Sequence, residues 1–305
     1  VGDALTVDAV ITQIHDMLDL ADIVLLEERR QCQGLRAIAA ETRAFADGLA
    51  GRDRPGHWAN VANGVGLTRP VDAGELRDVI EWYEAQRIQT RIEVPPTTHA
   101  TLLSALAAER FSIVNFENVF CLEIRAEHAR GVETPAPLGP GIEIVELDVR
   151  DAGAVTAAAM TAVECFVPAS VPRGSDDYRH AVAMSEKVMR QPECVTFVAI
   201  DREAGTPVGC GTMAVHIVPG RDERNVTMGA LFGAGVLASH RRRGIQQALI
   251  AGRVRIAAER GAAIATIGSR PGVATERNVR RMGFGLAYTK SVVARQGEGL
   301  IPMTD

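Results

Sequence analysis

The sequence predicts an α/β (α+β) fold, a mixed and mostly antiparallel sheet flanked by helices, written as two tandem copies. Three observations carry this. The chain has 305 residues, more than one ordinary domain of about 100–200 residues requires. A stretch with three prolines and two glycines, Gly131-Val-Glu-Thr-Pro-Ala-Pro-Leu-Gly-Pro140, interrupts it near the middle and can extend neither a helix nor a central strand. After that break, β-branched runs alternate with helical patterns in an order that the first half repeats in part. The expected division is a first copy at 1–130, a linker at 131–140 and a second copy at 141–305.

Composition excludes several classes. With 47% apolar and 23% charged residues the chain has the balance of a globular protein and not of a disordered one. No run of 18 apolar residues is present, so no membrane association is expected. The opening Val1-Gly-Asp-Ala-Leu-Thr-Val-Asp-Ala-Val10 has neither the basic start nor the apolar run of a secretory leader, which makes a cytoplasmic location the expectation. Cys32, Cys121, Cys165, Cys194 and Cys210 are scattered, with no C-x-x-C pair. They read as reduced, mostly buried thiols, and no metal site is expected.

Charge is uneven. Residues 1–130 hold 20 acidic and 13 basic side chains, whereas residues 239–281 hold ten arginines against Glu259 and Glu276 alone. An anionic ligand in the second half accounts for this pattern. Nucleic acid is not the expected partner, because the net charge is −5, aromatics make up 4%, and the arginines open one helix instead of lining a long surface.

In the second half, Ile142–Val149 reads as a strand by β-branched content and Ala152–Phe166 as an Ala-rich helix. A helix at about Ser175–Arg190 follows a Pro/Gly/Ser loop. Apolar runs at Cys194–Ile200, Val208–Val218 and Val226–Leu237 are separated by turn-forming segments and read as an antiparallel meander. From Gly244, residues Ile245, Ala248, Leu249, Gly252 and Ile256 recur at helical spacing. Between that last strand and this helix lies Ala238-Ser-His-Arg-Arg-Arg-Gly-Ile-Gln-Gln247, which brings unpaired amides and three guanidinium groups to one helix N-terminus. Such a terminus binds phosphate through amides and dipole together. It is not a nucleotide P-loop, since G-x-x-x-x-G-K-[ST] is absent. Ala263–Gly268 then reads as a strand, Val273–Met282 as a helix, and Gly283-Phe284 opens a final strand.

This order over about residues 141–295, with its R-x-x-G loop at Arg241–Gly244, resembles the GCN5-related N-acetyltransferase (GNAT) family. The resemblance implies acetyl-CoA as acyl donor and places its pyrophosphate on Arg241, Arg242, Arg243, Gly244, Ile245, Gln246 and Gln247. Arg241 and Gly244 match the first and fourth positions of the family loop; Gln246 stands where Gly or Ala is usual. The backbone of Ala234, Gly235 and Val236 would pair with the pantetheine amides as an added strand. Arg277, Arg280 and Arg281 on the next helix could reach the 3′-phosphate, or simply be solvated; Asn278 reads equally as a surface residue.

The resemblance is thinner for chemistry. The position of the family's frequent acid, a Tyr four residues before the Gly-Phe pair, is Val279, and that of the histone-type base is Leu231. Glu164 as base and Tyr178 as acid are the remaining candidates, in the segment Glu164–His180 that would face the acceptor. Tyr288 alternates with Leu286 and Lys290 and reads as packing.

In the first half, a strand at Ile92, a Pro turn, a helix and a strand through Asn115–Leu122 repeat the plan of Thr266–Phe284. Asn63-Gly-Val-Gly-Leu-Thr68 resembles the glycine-bearing strand and Ala73–Gln86 the helix after it. Between them, Arg69-Pro-Val-Asp72 has no R-x-x-G, and Pro70 removes an N–H while Asp72 adds negative charge. This half resembles a degenerate copy that does not bind the cofactor by the usual route. Leu5–Arg30 reads as one long or two short helices, and Ala37–Leu49 is left unassigned.

Two functions are in view. One is a direct-transfer N-acetyltransferase whose partner is a small-molecule amine or amino-acid-like acceptor, with a homodimer among the assemblies expected. The other is a non-catalytic acyl-CoA-binding or regulatory module that kept the loop and lost acid and base.

Overall fold

The computed structural model describes residues 18–166 and 171–303. They form two compact units, each discontinuous in sequence. The first unit comprises Leu18–Val119, Val218–Asn225 and the chain from Leu286; the second comprises Phe120–Ile217 and Val226–Gly285. Among the described residues, no helix is long and apolar enough to cross a membrane.

In the first unit, α1 (Leu20–Ile38) starts at Asp19, whose carboxylate accepts from the Asp22 amide while Asp22 returns the bond to the Asp19 amide. This capping box fixes the start. The helix expected within 5–30 therefore begins at 20 and runs on to 38; residues 5–17 lie outside the described residues. The unassigned segment 37–49 carries the end of α1, strand β1 (Glu41–Phe45) and the start of β2 (Gly48–Arg52), paired antiparallel from Glu41↔Arg52 to Phe45↔Gly48. Next come β3 (Val61–Asn63), α2 (Ala73–Glu84), β4 (Arg91–Val94), α3 (Ala100–Ala108) and β5 (Phe111–Glu123). The glycines expected to sit in a strand at 63–68 instead follow β3 as a loop. Phe45, Leu76, Ile80, Tyr83, Ile92 and Leu102 form the core, because α2 and α3 each turn one apolar stripe to the sheet.

The second unit takes β5 from Phe120 and continues with β6 (Ile142–Glu146), α4 (Ala152–Phe166), α5 (Asp176–Met189), β7 (Cys194–Asp201), β8 (Thr206–Pro219), β9 (Asn225–Val236), α6 (Ile245–Glu259), β10 (Ile264–Ser269) and α7 (Ala274–Arg281). Its strand order is β5-β10-β9-β8-β7-β6. β6, β7 and β8 pair antiparallel, as the meander predicts. β9 and β10 pair in parallel across α6, from Met228↔Ile264 to Leu231↔Ile267. The apolar stripe of α6 (Ile245, Leu249, Ile250, Val254) closes the core with Ile267 and Phe284.

The last strands do not stay with their own copies. β5 follows α3, yet from Phe120 it belongs to the second unit, where the Ile124 amide donates to Ala263 O at 2.9 Å. β11 (Gly285–Arg295) follows α7 but pairs antiparallel with β4, Ser291↔Val94 to Ala294↔Arg91, giving the first unit the order β1-β2-β3-β4-β11-β5. The Pro/Gly break at 131–140 thus marks the order of the copies along the chain and not the membership of the compact units. Strand propensity is local, whereas the choice of pairing partner is not.

Candidate cofactor-binding site

Past the Leu231↔Ile267 pair the parallel ladder ends, and Phe232 to Val236 continue as half-exposed strand. Gly233 takes the left-handed conformation (φ 57°), which bends the strand at little steric cost. The other edge stays tied to β8, since the Leu237 amide donates to Val208 O at 2.9 Å. Gly235 is required by close packing: a Cβ there would lie 2.4 Å from Cys165 Cβ at the end of α4. Ala234, Gly235 and Val236 thus lie on the segment of β9 that has parted from β10.

The loop that follows is held at both ends. A short 3₁₀ turn, Ala238–His240, is anchored through His240, whose Nε2 lies 3.1 Å from Asp201 Oδ2 and whose Nδ1 lies 2.8 Å from Ser239 Oγ. His240 beside Asp201 holds that carboxyl below its usual range. Arg241 Nε donates to Val236 O at 3.2 Å. Arg242 and Gly244 are both left-handed, with φ of 63° and 72°, and Gly244 is the N-cap of α6. Among the described residues, the amides of Arg242 to Gln247 find no acceptor. The guanidinium groups of Arg241 and Arg242 are exposed beside them. Free amides, a helix N-terminus and unpaired cations together suit a phosphate or pyrophosphate group.

The chain from the Pro/Gly break lies against this loop. The Ala136 amide donates to Gln247 Oε1 at 3.0 Å, the Gly139 amide to Arg243 O at 2.9 Å, and Arg243 Nη2 to Pro140 O at 2.7 Å. A Cβ on Gly244 would lie 2.3 Å from Pro137 O. Gln246, the departure from the family loop, reaches α7: its Nε2 donates to Thr275 Oγ1 at 3.1 Å and its Oε1 accepts from Asn278 Nδ2. Gln247 Nε2 also approaches Asn278 Oδ1, at 3.4 Å. Asn278 is therefore part of the loop's support, a role its position on a helix did not reveal. Of the α7 arginines, Arg280 pairs with Glu276 at 3.1 Å and lies over the Phe120 ring, while Arg277 and Arg281 are exposed.

The candidate catalytic pair is not brought together by a hydrogen bond. Glu164 pairs with Arg173 at 2.6 Å. Tyr178 is buried, and its hydroxyl has no hydrogen-bond partner among the described residues. Residues 167–170 of the expected acceptor segment lie outside the described residues. Val279 and Leu231, at the positions of the family's acid and base, are core residues. Burial pushes the Cys165 thiol up to about 11 and the Cys210 thiol to about 12, so neither is a thiolate nucleophile near neutrality.

The first copy's loop is filled from within. Asp47 accepts from the Gly66 amide at 2.5 Å, the Thr68 amide at 2.5 Å and Thr68 Oγ1 at 2.8 Å. Asp72 caps α2 through the Gly74 amide, and Arg69 is spent on Glu75 at 2.6 Å. The β3–β4 ladder has one pair, Ala62↔Ile92, and ions are buried beside it. Glu28 accepts from the Gly64 amide at 3.3 Å, from Tyr288 Oη at 3.1 Å and from Lys290 Nζ at 3.2 Å. Lys290 Nζ also lies 2.5 Å from Glu93 and 3.8 Å from Glu117. Pro70, which lacks an N–H, and Asp72, which adds negative charge, disfavour an anion at this loop. The structure adds the Asp47 carboxylate, which takes up the Gly66 and Thr68 amides.

No protein-family model matches the chain, and no curated protein matches it in sequence. Solved structures do match in fold. A GCN5-related N-acetyltransferase from Kribbella flavida aligns over 93% of this chain and 98% of its own, with a TM-score of 0.63 and 18% identity. A tandem GNAT protein from the clavulanic acid biosynthesis pathway aligns over 97% and 98%, with a TM-score of 0.59 and 13% identity. A GCN5-related N-acetyltransferase from Sphaerobacter thermophilus aligns over 80% and 73%, with a TM-score of 0.53 and 17% identity. The likeness is one of fold, and the chain has the fold of a tandem GCN5-related N-acetyltransferase.

Proposed function

We propose that this chain is an acetyl-CoA-dependent N-acetyltransferase that transfers directly to a small amine or amino-acid-like acceptor. One observation carries the reading: the amides of Arg242 to Gln247 have no acceptor among the described residues, and they open α6 beside exposed guanidinium groups. Bound acetyl-CoA supplies an activated acyl group on a thiol leaving group. Arg241, Arg242 and the loop amides hold its pyrophosphate. Ala234 to Val236 would hold its pantetheine amides by strand addition, and the Val236 amide would serve as donor to the thioester oxygen. Glu164 is the candidate base for the acceptor ammonium and Tyr178 the candidate acid for the departing thiolate. The second copy carries the cofactor, and the first, with Asp47 in its loop, does not. Five cysteines in no disulfide, of which only Cys210 is fully buried, fit a cytoplasmic setting.

The second reading, a binding module without catalysis, is favoured by the buried Val279 and Leu231. Two measurements separate them. Calorimetry with acetyl-CoA should find one molecule bound per chain, with affinity lost in Arg241→Ala. A screen of amine classes should then show CoA release; binding without release for any class would leave the module reading standing.

A further inference from the structure

The most unusual side chain of the second unit is Arg253. It projects from the core-facing side of α6, among Leu249, Ile250, Val254 and Ala257, and is fully buried. Its Nε donates to Leu249 O one turn back, at 2.9 Å. Its Nη1 reaches Thr212 O on β8 at 3.1 Å and Phe232 O on β9 at 3.4 Å. Nη2 is buried without a hydrogen-bond partner among the described residues, and no carboxylate is paired with the group. The room is made by Gly211, where a Cβ would lie 2.9 Å from Arg253 Cζ and 3.2 Å from Nη2.

For stability alone this is a poor choice. An ionised group without a counter-charge is costly to bury, and apolar replacements of similar volume are often neutral or stabilising. Burial draws the guanidinium down to about 10, which still leaves it charged at neutral pH. What distinguishes the position is its place on β9. Phe232 is the first residue past the last β9–β10 pair, and Gly233 beside it is the left-handed bend. A bend breaks the regular ladder and leaves buried carbonyls in need of donors. One nitrogen of Arg253 serves a carbonyl on β9 at that bend and one on β8, the neighbour to which β9 stays tied.

We propose that Arg253 is a positioning residue for cofactor binding: from the α6 side of the sheet it pins β8 and β9 at Thr212 and Phe232, and so holds Ala234 to Val236 in the course that receives the cofactor. The inference rests on the reading of that segment as the pantetheine site. It assigns a role to a residue that touches no part of the ligand.

The test uses the full chain and acetyl-CoA itself. Arg253→Met removes the donors at similar volume, and Gly211→Ala pushes the guanidinium from its place. Both should weaken acetyl-CoA binding at least 10-fold by calorimetry; the thermal midpoint of Arg253→Met stays at or above that of the unaltered chain, whereas that of Gly211→Ala falls, because the displaced charge stays buried without its acceptors. Arg253→Lys, which keeps one charged donor, should recover part of the affinity. In ligand-free protein, both variants should speed hydrogen exchange at residues 232–237 and leave β7 unchanged. Folded Arg253→Met and Gly211→Ala with unaltered exchange and affinity would overturn the assignment. Should Arg253→Met fail to fold, the Lys and Gly211 variants carry the same readouts. If the unaltered chain binds no acetyl-CoA, the cofactor reading fails; the exchange measurement still decides whether Arg253 sets the strand.

Discussion

Gly244 and Gly261 sit at opposite ends of α6 with nearly the same backbone, φ 72° and 71°, but in different surroundings. At Gly261 an added Cβ meets nothing within 4 Å, so Gly261→Ala carries only the left-handed strain of an L-residue, roughly 1 kcal/mol. At Gly244 the same methyl would lie 2.3 Å from Pro137 O and 2.9 Å from its carbonyl carbon. Either the segment 136–140 withdraws or the loop leaves its conformation. Withdrawal forfeits the bonds from Ala136 to Gln247, from Gly139 to Arg243 and from Arg243 to Pro140, each worth about 1 kcal/mol net. Gly244→Ala should therefore cost up to about 4 kcal/mol, against about 1 for Gly261→Ala. Loss of two charge-assisted amide bonds to a pyrophosphate, at about 1.5–3 kcal/mol each, lowers affinity about 100-fold or more. Urea denaturation and acetyl-CoA calorimetry on both variants measure the two quantities. Equal stability and equal affinity for the two variants would refute the argument that Pro137 and the loop conformation are coupled to the ligand.

Other outcomes follow from the first unit. Lys290→Met leaves Glu28 and Glu93 buried without their cation and should cost about 3–5 kcal/mol in urea denaturation; adding Glu28→Gln should return part of it, and additive losses would count against a shared cluster. Burial pushes the Glu117 carboxyl up to about 7. A raised folded value means that its contribution to stability is complete below the ordinary carboxylate range and is lost as pH rises through about 7. The denaturation midpoint should thus fall between pH 5 and 7.5, and Glu117→Gln should flatten that slope; an unchanged slope would reject the assignment. Asp47→Ala should destabilise by about 1–3 kcal/mol, by stranding the donors of Gly66 and Thr68, without raising the stoichiometry of acetyl-CoA above one.

The loop that opens α6 was legible in the sequence because its ingredients are local. Glycine in a left-handed cap, a basic run and a 3.6-residue apolar stripe all fall within twenty residues, and α6 begins where they place it. Features built from distant residues were not legible. Asp47 closes a loop at 66–68 by a turn whose left-handed residue is Ala46, which carries no Gly or Asn signal. Glu28 and Lys290 meet across 262 positions, and neither is remarkable in its own window. Arg253 follows Leu249 by four residues, but an arginine in a helix is ordinarily solvated; only the room left by Gly211 shows that it turns inward. The start of α1 was readable in principle, since Asp19-x-x-Asp22 is a capping pattern, but no flanking glycine or proline draws attention to it.

The exchanged last strands have a consequence for how such a chain can be inherited. A break at 131–140, the Pro- and Gly-rich stretch between the copies, would not release two working halves. Residues 1–130 would lose Ser291–Ala294, against which β4 pairs, and residues 141–305 would end in a strand with no β4 to meet, while Phe120–Glu123 stayed behind. Gene fission at the linker is thus disfavoured unless both products are made together and reassemble. A copy whose loop is closed by its own Asp47 can be kept by this alone: it supplies the edge against which its neighbour's final strand pairs.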